Sequence, residues 1–429
     1  MARLRPLRGL RYNTEHVDPG SVLAPPYDVI SLAQQQELYS RDLRNIVRID
    51  FGTGQPGDVA DKDDRYTRAA GHLESWLRLG ILAREDRPAL YVTDHEFLGE
   101  DGRRHVRRGV FGRVPALPWA ESEVLPHERT MRGPKQDRLA LMRATRTQTS
   151  AVWVMWDRAP GIAEALAAAT GRAPDATGEL PGELDVERVR MWVVSDAQHL
   201  AAIDTALGPA RLYIADGHHR FETAAAYAAE RRQAEPDAPA DADFAMTLVY
   251  ATAADDPVVE VWPTHRLVRP DSALDLPPSL DALRARAGNG FTLEPQPDLE
   301  TATSEARRRR ESVNAFGVQA PDGAALLSTP RTPTGSPQAG LDVSVLAARV
   351  LDGALGITPE HITGGALAYT RDIAEARAAV ERGDAALAFT CNPTSPAEII
   401  AVSDAGEVMP QKSSYFYPKV PTGLVLSPL

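Results

Sequence analysis

The chain has 429 residues, of which 43% are hydrophobic and 25% are charged, and its formal net charge is −12. This composition predicts a globular protein with a sizeable core and more than one domain. The acidic balance argues against a nucleic acid as the main partner, because nonspecific affinity for nucleic acids comes from clustered Lys and Arg. The single Cys391 excludes an intramolecular disulfide framework and a multi-thiolate metal site.

Membrane association is not expected. The sequence contains no run of about 18 consecutive apolar residues, and its first residues, MARLRPLRGLRYN, lack the apolar segment of a signal peptide. We therefore expect a cytoplasmic protein whose partners are small molecules rather than membranes or nucleic acids. Assembly into a homodimer is compatible with the sequence.

Branched and aromatic runs alternate with helical patterns along the chain. The runs predict strands, and the apolar spacing of DRLALMRATR and RFETAAAYAAERRQA predicts helices. The fold class is therefore α+β (mixed α/β), and a Pro-rich passage near residues 268–272 divides it into regions 1–270 and 271–429. The strand predictions cover residues 45–52, 89–97, 151–156, 189–196, 211–216, 244–252 and 385–391.

The segment LAPPYDVIS (23–31) presents Tyr27 and Asp28 after two consecutive prolines. Proline restricts its own φ and the conformation of the preceding residue, so the segment is a rigid loop. Such a loop can hold a functional carboxylate, and it can equally be a structural corner.

Positive charge is concentrated in residues 129–146, where six cations accompany the single acid Asp137. The segment is typical of a loop followed by a helix, with His127 and Glu128 on the loop and Lys135 near the beginning of the helix. A carboxylate there could orient a hydroxyl group or hold a metal ion. A solvated, charged helix face explains the same pattern.

The sequence IADGHHRFETA (214–224) predicts a strand, a glycine turn and the beginning of a helix. Backbone N–H groups and the positive end of the helix dipole favour an anion at such a turn. Gly217 permits close approach of the backbone, and Arg220 can bind two phosphate oxygens. Alternatively, Asp216 caps the helix. A zinc site is less favoured, because His218 and the residue after it point about 100° apart on a helix.

Two further segments contain candidate polar residues. His265, beside a predicted strand, has the character of a satisfied core histidine rather than a ligand. Near the C terminus, Lys412 is followed by Ser413 and Ser414, a cation and hydroxyls as in a phosphate loop, but the GxxxxGK spacing is absent. A terminal strand that packs Tyr415, Phe416 and Tyr417 into the core is the alternative interpretation.

Six motifs together resemble a large prokaryotic family known as domain of unknown function number one thousand and fifteen: RPLRGLRY, APPYDVIS, PHERTMRGPKQDRL, ADGHHRFETA, PTHRLV and MPQKSSYFYPK. The DGHHR element is also similar to the phosphate-binding turn of the ParB and sulfiredoxin superfamily, whose free-serine kinases carry the same five residues. The resemblance implies a ParB/sulfiredoxin-like nucleotide-binding core with additional α/β elements.

This resemblance also implies an activity. We expect a nucleotide-dependent phosphotransferase that uses ATP or ADP and Mg²⁺ and acts on a small hydroxylated metabolite, with free L-serine as the specific candidate. A non-enzymatic nucleotide-binding regulator and a nucleotide hydrolase are the alternatives. Sulfiredoxin chemistry is not expected, since a histidine occupies the cysteine position of the turn.

The implied roles fall into three groups. Asp216 and Glu128 would hold the metal. Catalysis would involve Asp216, Glu128, His218 and Asp28, with Glu128 orienting the acceptor hydroxyl. The nucleotide would be bound by Gly217, His218, His219, Arg220, Lys135, Lys412, Ser413 and Ser414.

Overall fold

The computed structural model describes residues 3–60, 62–128, 130, 132–271 and 274–429. Arg129, one of the six cations of residues 129–146, lies outside these residues. In the part of the chain that the structure describes, no helix combines the length and the hydropathy that crossing a bilayer requires.

Strands occur along the whole chain, and they confirm the mixed α and β class. In chain order they are β1 Leu10–Tyr12, β2 Leu82–Arg84, β3 Leu90–Leu98, β4 Arg104–Pro115, β5 Val124–Leu125, β6 Thr147–Gln148, β7 Val152–Trp156, β8 Ala176–Pro181, β9 Val186–Val194, β10 Leu212–Asp216, β11 Met246–Ala253, β12 Glu260–Trp262, β13 His265–Val268, β14 Thr292–Gln296, β15 Val313–Ala320, β16 Gly323–Pro330, β17 Leu367–Thr370, β18 Leu387–Thr390, β19 Tyr415–Tyr417 and β20 Ser427–Pro428.

Helices separate most of these strands. A π-helical stretch at Leu346–Asp352 directly follows the short helix Asp342–Val345. The α-helices are α1 Pro19–Val22, α2 Leu32–Arg41, α3 Val47–Asp50, α4 Arg65–Arg78, α5 Arg132–Thr145, α6 Ile162–Ala169, α7 Ala197–Leu207, α8 His218–Ala234, α9 Leu280–Ala287, α10 Leu299–Arg309, α11 Asp342–Val345, α12 Pro359–Thr363, α13 Ile373–Glu381 and α14 Pro396–Asp404.

The chain forms two compact units. The first comprises Met1–Pro126, Thr130–Glu260 and Pro418–Leu429, and the second comprises His127–Arg129 and Val261–Tyr417. The main part of the second unit thus begins at Val261, ten residues before the boundary predicted at 270–271, and the last twelve residues of the chain belong to the first unit.

An eight-stranded sheet with the order β5-β10-β7-β11-β4-β3-β9-β8 forms the centre of the first unit. Helices α6, α7 and α8 contribute Leu166, Ile203 and Phe221 to a core that also contains Val154 of β7 and Ile214 of β10. Because β10 pairs with β7 on one side and with β5 on the other, its C-terminal residue Asp216 is held in place by a fixed strand.

A second sheet, with the order β14-β16-β15-β18-β13-β17, forms the centre of the second unit. Its core includes Phe316 of β15, Leu327 of β16 and Phe389 of β18, which pack with Leu346 of the π-helical stretch. All strand pairs recorded for this sheet are antiparallel. The π-helical stretch therefore packs against three neighbouring strands of this sheet.

The predicted strand at residues 45–52 is wrong, because this segment forms helix α3. The Asn45 side-chain oxygen accepts a hydrogen bond from the Val47 backbone N–H at 3.0 Å, and its amide donates to the Ser21 and Leu23 carbonyls. A short apolar run suits a buried helical turn as well as a strand. The asparagine side chain stabilises the turn at this position.

Candidate functional site

The turn between β10 and α8 depends on Gly217. Its φ is +97°, in the left-handed region, and a Cβ atom there would lie 2.8 Å from Arg220 Nε. An L-residue would therefore be strained and would also collide with the guanidinium group. The sequence predicted helix α8, which has 17 residues. Since Gly217 is its N-cap, no cap side chain covers the positive end of the helix dipole.

Asp216 lies between two cations. Its Oδ1 accepts a hydrogen bond from Lys419 Nζ at 2.6 Å, and its Oδ2 accepts one from the Arg220 guanidinium group. Burial alone would raise the pKa of Asp216, but the charges of Lys419 and Arg220 outweigh it and hold this pKa well below its usual range. Asp216 is therefore ionised at neutral pH. The helix cap predicted as an alternative role is not what its side chain does.

This pairing bears on the Mg²⁺ that the resemblance implies. A carboxylate oxygen is a suitable Mg²⁺ ligand in chemical type, but both oxygens of Asp216 already accept hydrogen bonds from cations. A divalent ion at this carboxylate would add a third positive group to the same site. Asp216 as arranged does not fit a metal ligand, so we assign no step to a metal, and the predicted metal role stays a prediction.

Arg220 joins the turn to the sheet. Its Nη1 donates to the backbone carbonyl of Ala151, directly before β7, and its Nη2 donates to Asp216. The side chain is only 8% exposed. Burial lowers the pKa of Arg220, whereas Asp216 and next Asp28 raise it to a net value above its usual range. Arg220 thus supports the turn from within, and its direct contact with a phosphate stays a prediction.

The two histidines of the turn have different environments. His218 is buried, and its ring centroid lies 6.4 Å from that of Trp119. His219 is partly exposed, and its backbone carbonyl accepts a hydrogen bond from Thr223 Oγ1 at 2.7 Å. Asp28 is exposed on a 3₁₀ turn near enough for its charge to act on Arg220. The structure therefore brings Asp28 close to the DGHHR element.

Lys135 of α5 also reaches α8, where it pairs with a residue that the sequence analysis did not select. Its Nζ donates to Glu222 Oε2 at 2.6 Å, and Thr130 and Trp119 donate to the same carboxylate. Burial raises the pKa of Glu222, but these hydrogen bonds, led by that of Lys135, lower it overall. The sequence contained one indication of this residue: Glu222 lies four residues after His218, so both lie on one face of the helix.

The second unit joins two other predicted segments. The Met409 backbone N–H donates to the His127 carbonyl at 2.8 Å, and His127 Nε2 lies 3.1 Å from Ser414 Oγ. Glu128 Oε1 accepts a hydrogen bond of 3.4 Å from the backbone N–H of Lys412. Glu128, Lys412 and Ser414 therefore lie together within this unit.

The local conformation of the C-terminal segment is a tight turn. Lys412 has φ +59°, which is uncommon for a residue other than glycine. Ser413 is buried, and its hydroxyl donates to the Pro410 carbonyl. The following strand β19 is buried, as the alternative interpretation predicted, and Tyr417 stacks on Trp262 with 3.8 Å between centroids. The Ser413 hydroxyl thus has a structural role in the described arrangement.

Lys419 is the main residue of the turn that sequence reasoning missed. It lies 203 residues from Asp216 in the sequence, and its side chain is 9% exposed. The amino-acid composition could have indicated this residue, because Lys419 is one of only four lysines among the 47 Lys and Arg residues of the chain. Lysine carries a compact ammonium group, whereas arginine carries a planar guanidinium fork, so the two residues are not interchangeable.

Together these features define an α+β protein whose buried strand–glycine–helix turn is surrounded by charged side chains. The chain belongs to the DUF1015 family, described as a protein of unknown function, whose family model matches residues 4–344. The match ends before the MPQKSSYFYPK segment. No curated protein is significantly similar to the chain.

Several solved structures are similar to the chain at low identity. A free serine kinase in complex with AMP has a TM-score of 0.37 and 14% identity, covering 71% of this chain and 86% of that one. A conserved hypothetical protein from Pyrococcus furiosus has a TM-score of 0.37 and 14% identity, with coverages of 73% and 93%. SbnI from Staphylococcus aureus, truncated at its C terminus, has a TM-score of 0.35 and 12% identity, covering 73% of this chain and 85% of that one.

Proposed function

We propose that the chain is a nucleotide-dependent phosphotransferase that binds the phosphates of ATP or ADP at the β10–α8 turn. The acceptor is a small hydroxylated metabolite, with free L-serine as the specific candidate. The observation that carries the proposal is the convergence of Lys419 and Arg220 on the single carboxylate of Asp216, directly before α8.

The electrostatics of this turn favour an anion. Two buried cations share the carboxylate of Asp216 beside the positive end of the α8 dipole, and Asp28 is the next carboxylate whose charge acts on Arg220. Gly217 lets the backbone come close to a ligand, and backbone N–H groups at a helix N-terminus bind phosphate oxygens. The likeness of Asp216–Arg220 to the DGHHR turn of free-serine kinases supports the same assignment.

Phosphoryl transfer requires mainly that two reactants be positioned and that charge on the transferred group be neutralised. In the proposal, Lys419 supplies positive charge to the phosphates, while Asp216 and Arg220 position it. The roles predicted for Glu128, Lys412, Ser413 and Ser414, which belong to the second unit, stay predictions.

Substitution of Lys419 tests phosphate binding. We expect Lys419→Met to weaken ATP or ADP binding at least tenfold, because it removes a buried positive charge from the turn while the Asp216–Arg220 pair remains. The matched control is Lys62→Met, since Lys62 is exposed. Isothermal titration calorimetry measures both, with circular dichroism as a check on folding. Equal nucleotide affinity in the two variants would show that this turn does not bind the phosphates.

Product analysis then tests catalysis. The unaltered protein is incubated with ATP or ADP, Mg²⁺ and a panel of hydroxylated acceptors that includes L-serine, and phosphorus is followed by ³¹P NMR. We expect a phosphomonoester of one acceptor. Release of inorganic phosphate alone would indicate a hydrolase, and binding without any turnover would indicate a non-enzymatic regulator.

A further inference from the structure

A small cavity lined in part by polar side chains lies beside Arg220 in the first unit. Its volume is about 30 Å³, which accommodates a hydroxyl-sized group. Arg220 both lines this cavity and contacts Asp216, so its side chain connects the cavity with the β10–α8 turn. The polar side chains in its wall include Asp50, Arg138, Thr149, Ser150, Arg220 and Thr223.

Asp50 is the residue that makes this cavity a candidate ligand site. It is 2% exposed, and its Oδ1 accepts hydrogen bonds from Arg138 Nη1 at 3.2 Å, Thr149 Oγ1 at 2.6 Å and Ser150 Oγ at 2.9 Å. Its Oδ2 is equally buried but has no hydrogen-bond partner among the described residues. A buried carboxylate oxygen without a donor is costly in a folded protein. A donor from a ligand would satisfy it.

The charges around the cavity indicate which kind of hydrogen-bond donor a ligand would supply to Asp50 Oδ2. Asp50, Asp137 and Asp216 are linked by ion pairs to four cations, and the charge of Asp28 also acts on Arg220, so four carboxylates balance the four cations. An ammonium group would add an unbalanced positive charge to this site, whereas a neutral hydroxyl donates a hydrogen bond without adding any charge. The four cations are Arg65, Arg138, Arg220 and Lys419.

We propose that this cavity receives the hydroxyl group of the phosphoryl acceptor, which donates its hydrogen bond to Asp50 Oδ2. The inference rests on the proposed phosphotransferase function and names its acceptor site. The cavity volume admits the hydroxyl group but not a whole metabolite, so the rest of the acceptor lies outside it. In the proposal, Asp50 orients the acceptor hydroxyl, the role that the sequence analysis predicted for Glu128.

The chemical step balances with these groups. The acceptor oxygen forms a bond to the terminal phosphorus of the nucleotide, and the bond from that phosphorus to the bridging oxygen breaks. The hydroxyl proton passes to Asp50 and then to solvent. The products are the phosphomonoester and the nucleotide shortened by one phosphate.

Replacement of Asp50 tests the assignment in the active protein. Asp50→Asn is expected to raise the acceptor KM at least tenfold and to lower kcat about 100-fold, the scale of lost general-base assistance, with the nucleotide Kd unchanged. The matched control is Asp94→Asn, since Asp94 is also buried and is held by Arg108 at 2.6 and 2.8 Å. Parental KM and kcat in Asp50→Asn would overturn the inference while leaving the phosphotransferase proposal intact.

A structure of the unaltered protein soaked with L-serine or glycerol tests the site without depending on turnover or on the folding of a variant. We expect a ligand oxygen at hydrogen-bond distance, about 3 Å, from Asp50 Oδ2. A water molecule alone at this position in every soak would overturn the inference. If the protein phosphorylates no acceptor, the proposed function fails, yet a bound alcohol at Oδ2 would still support the hydroxyl site.

Discussion

His265 is a buried residue whose neutral state the second unit requires. Its Nδ1 accepts a hydrogen bond from the Cys391 backbone N–H at 3.3 Å. Burial and the neighbouring charge of Arg266 lower the pKa of His265 to about 4. The residue is thus a satisfied core histidine, as its position beside a strand predicted, and protonation would place a second positive charge next to Arg266.

This histidine predicts a pH dependence of stability. The pKa of about 4 in the folded state lies below the unfolded value of about 6.5, so the unfolded chain binds the proton first. The contribution of neutral His265 to the free energy of unfolding is complete above pH 6.5. It is lost as the pH falls through 4, a change of about 3 kcal/mol. We expect His265→Gln to remove this part of the pH dependence, measured by urea unfolding at pH 7, 5.5 and 4.

The control is His199→Gln, because the His199 side chain is 40% exposed and its replacement should leave the dependence unchanged. Identical pH profiles for the unaltered protein and His265→Gln would contradict the prediction.

At the scale of elements, the β10–α8 turn unites a buried strand, a left-handed glycine and a long helix. The strand is fixed by pairing on both sides, and the helix is fixed by Phe221 in the core. Between them, Gly217 leaves space for the Arg220 side chain to reach Asp216 and Ala151. The conformation of one glycine therefore determines whether the charged side chains of the turn can assemble.

A comparison of two glycines measures this effect. Gly217 and Gly57 have φ of +97° and +95°, but a Cβ atom would have neighbours within 4 Å only at Gly217. Gly57→Ala should cost about 1 kcal/mol for the left-handed conformation. Gly217→Ala should cost about 3 kcal/mol, because it also displaces a buried Arg220 from its partner. Urea unfolding gives both values, and equal losses would show that Arg220 tolerates the displacement.

At the scale of the whole molecule, the chain leaves the first unit after Glu260 and returns to it at Pro418. The returning segment brings Lys419 to Asp216 and buries Leu426 completely. Strand β20 pairs with β6, and the Leu426 backbone N–H donates to the Leu10 carbonyl. The last twelve residues therefore complete the first unit.

Removal of Pro418–Leu429 should destabilise the first unit and abolish nucleotide binding, because both core contacts and Lys419 are lost. The comparison variant Leu426→Ala should lose about 3 kcal/mol through its cavity but should retain binding, since Lys419 remains. Differential scanning calorimetry and titration with ADP measure the two effects. A truncated protein that unfolds at the parental temperature would contradict the role of this segment.

Local patterns in the sequence were sufficient for part of the fold. The apolar spacing of Phe221, Ala224, Ala225 and Ala228 predicted α8, and the branched run before Asp216 predicted β10. The same approach was wrong for α3. There the outcome depended on hydrogen bonds from Asn45 to carbonyls more than twenty residues away, which a local window does not contain.

By itself the sequence determined the mixed fold class, the strand–glycine–helix turn and the family resemblance, because each depends on residue types at short, regular spacings. Only the tertiary structure decided which side chains meet at the turn. Lys419 reaches Asp216 across 203 residues, and Asp50 approaches Ser150 across 100. Such pairings arise from strand order and core packing, which bring distant segments together at positions that no local spacing specifies.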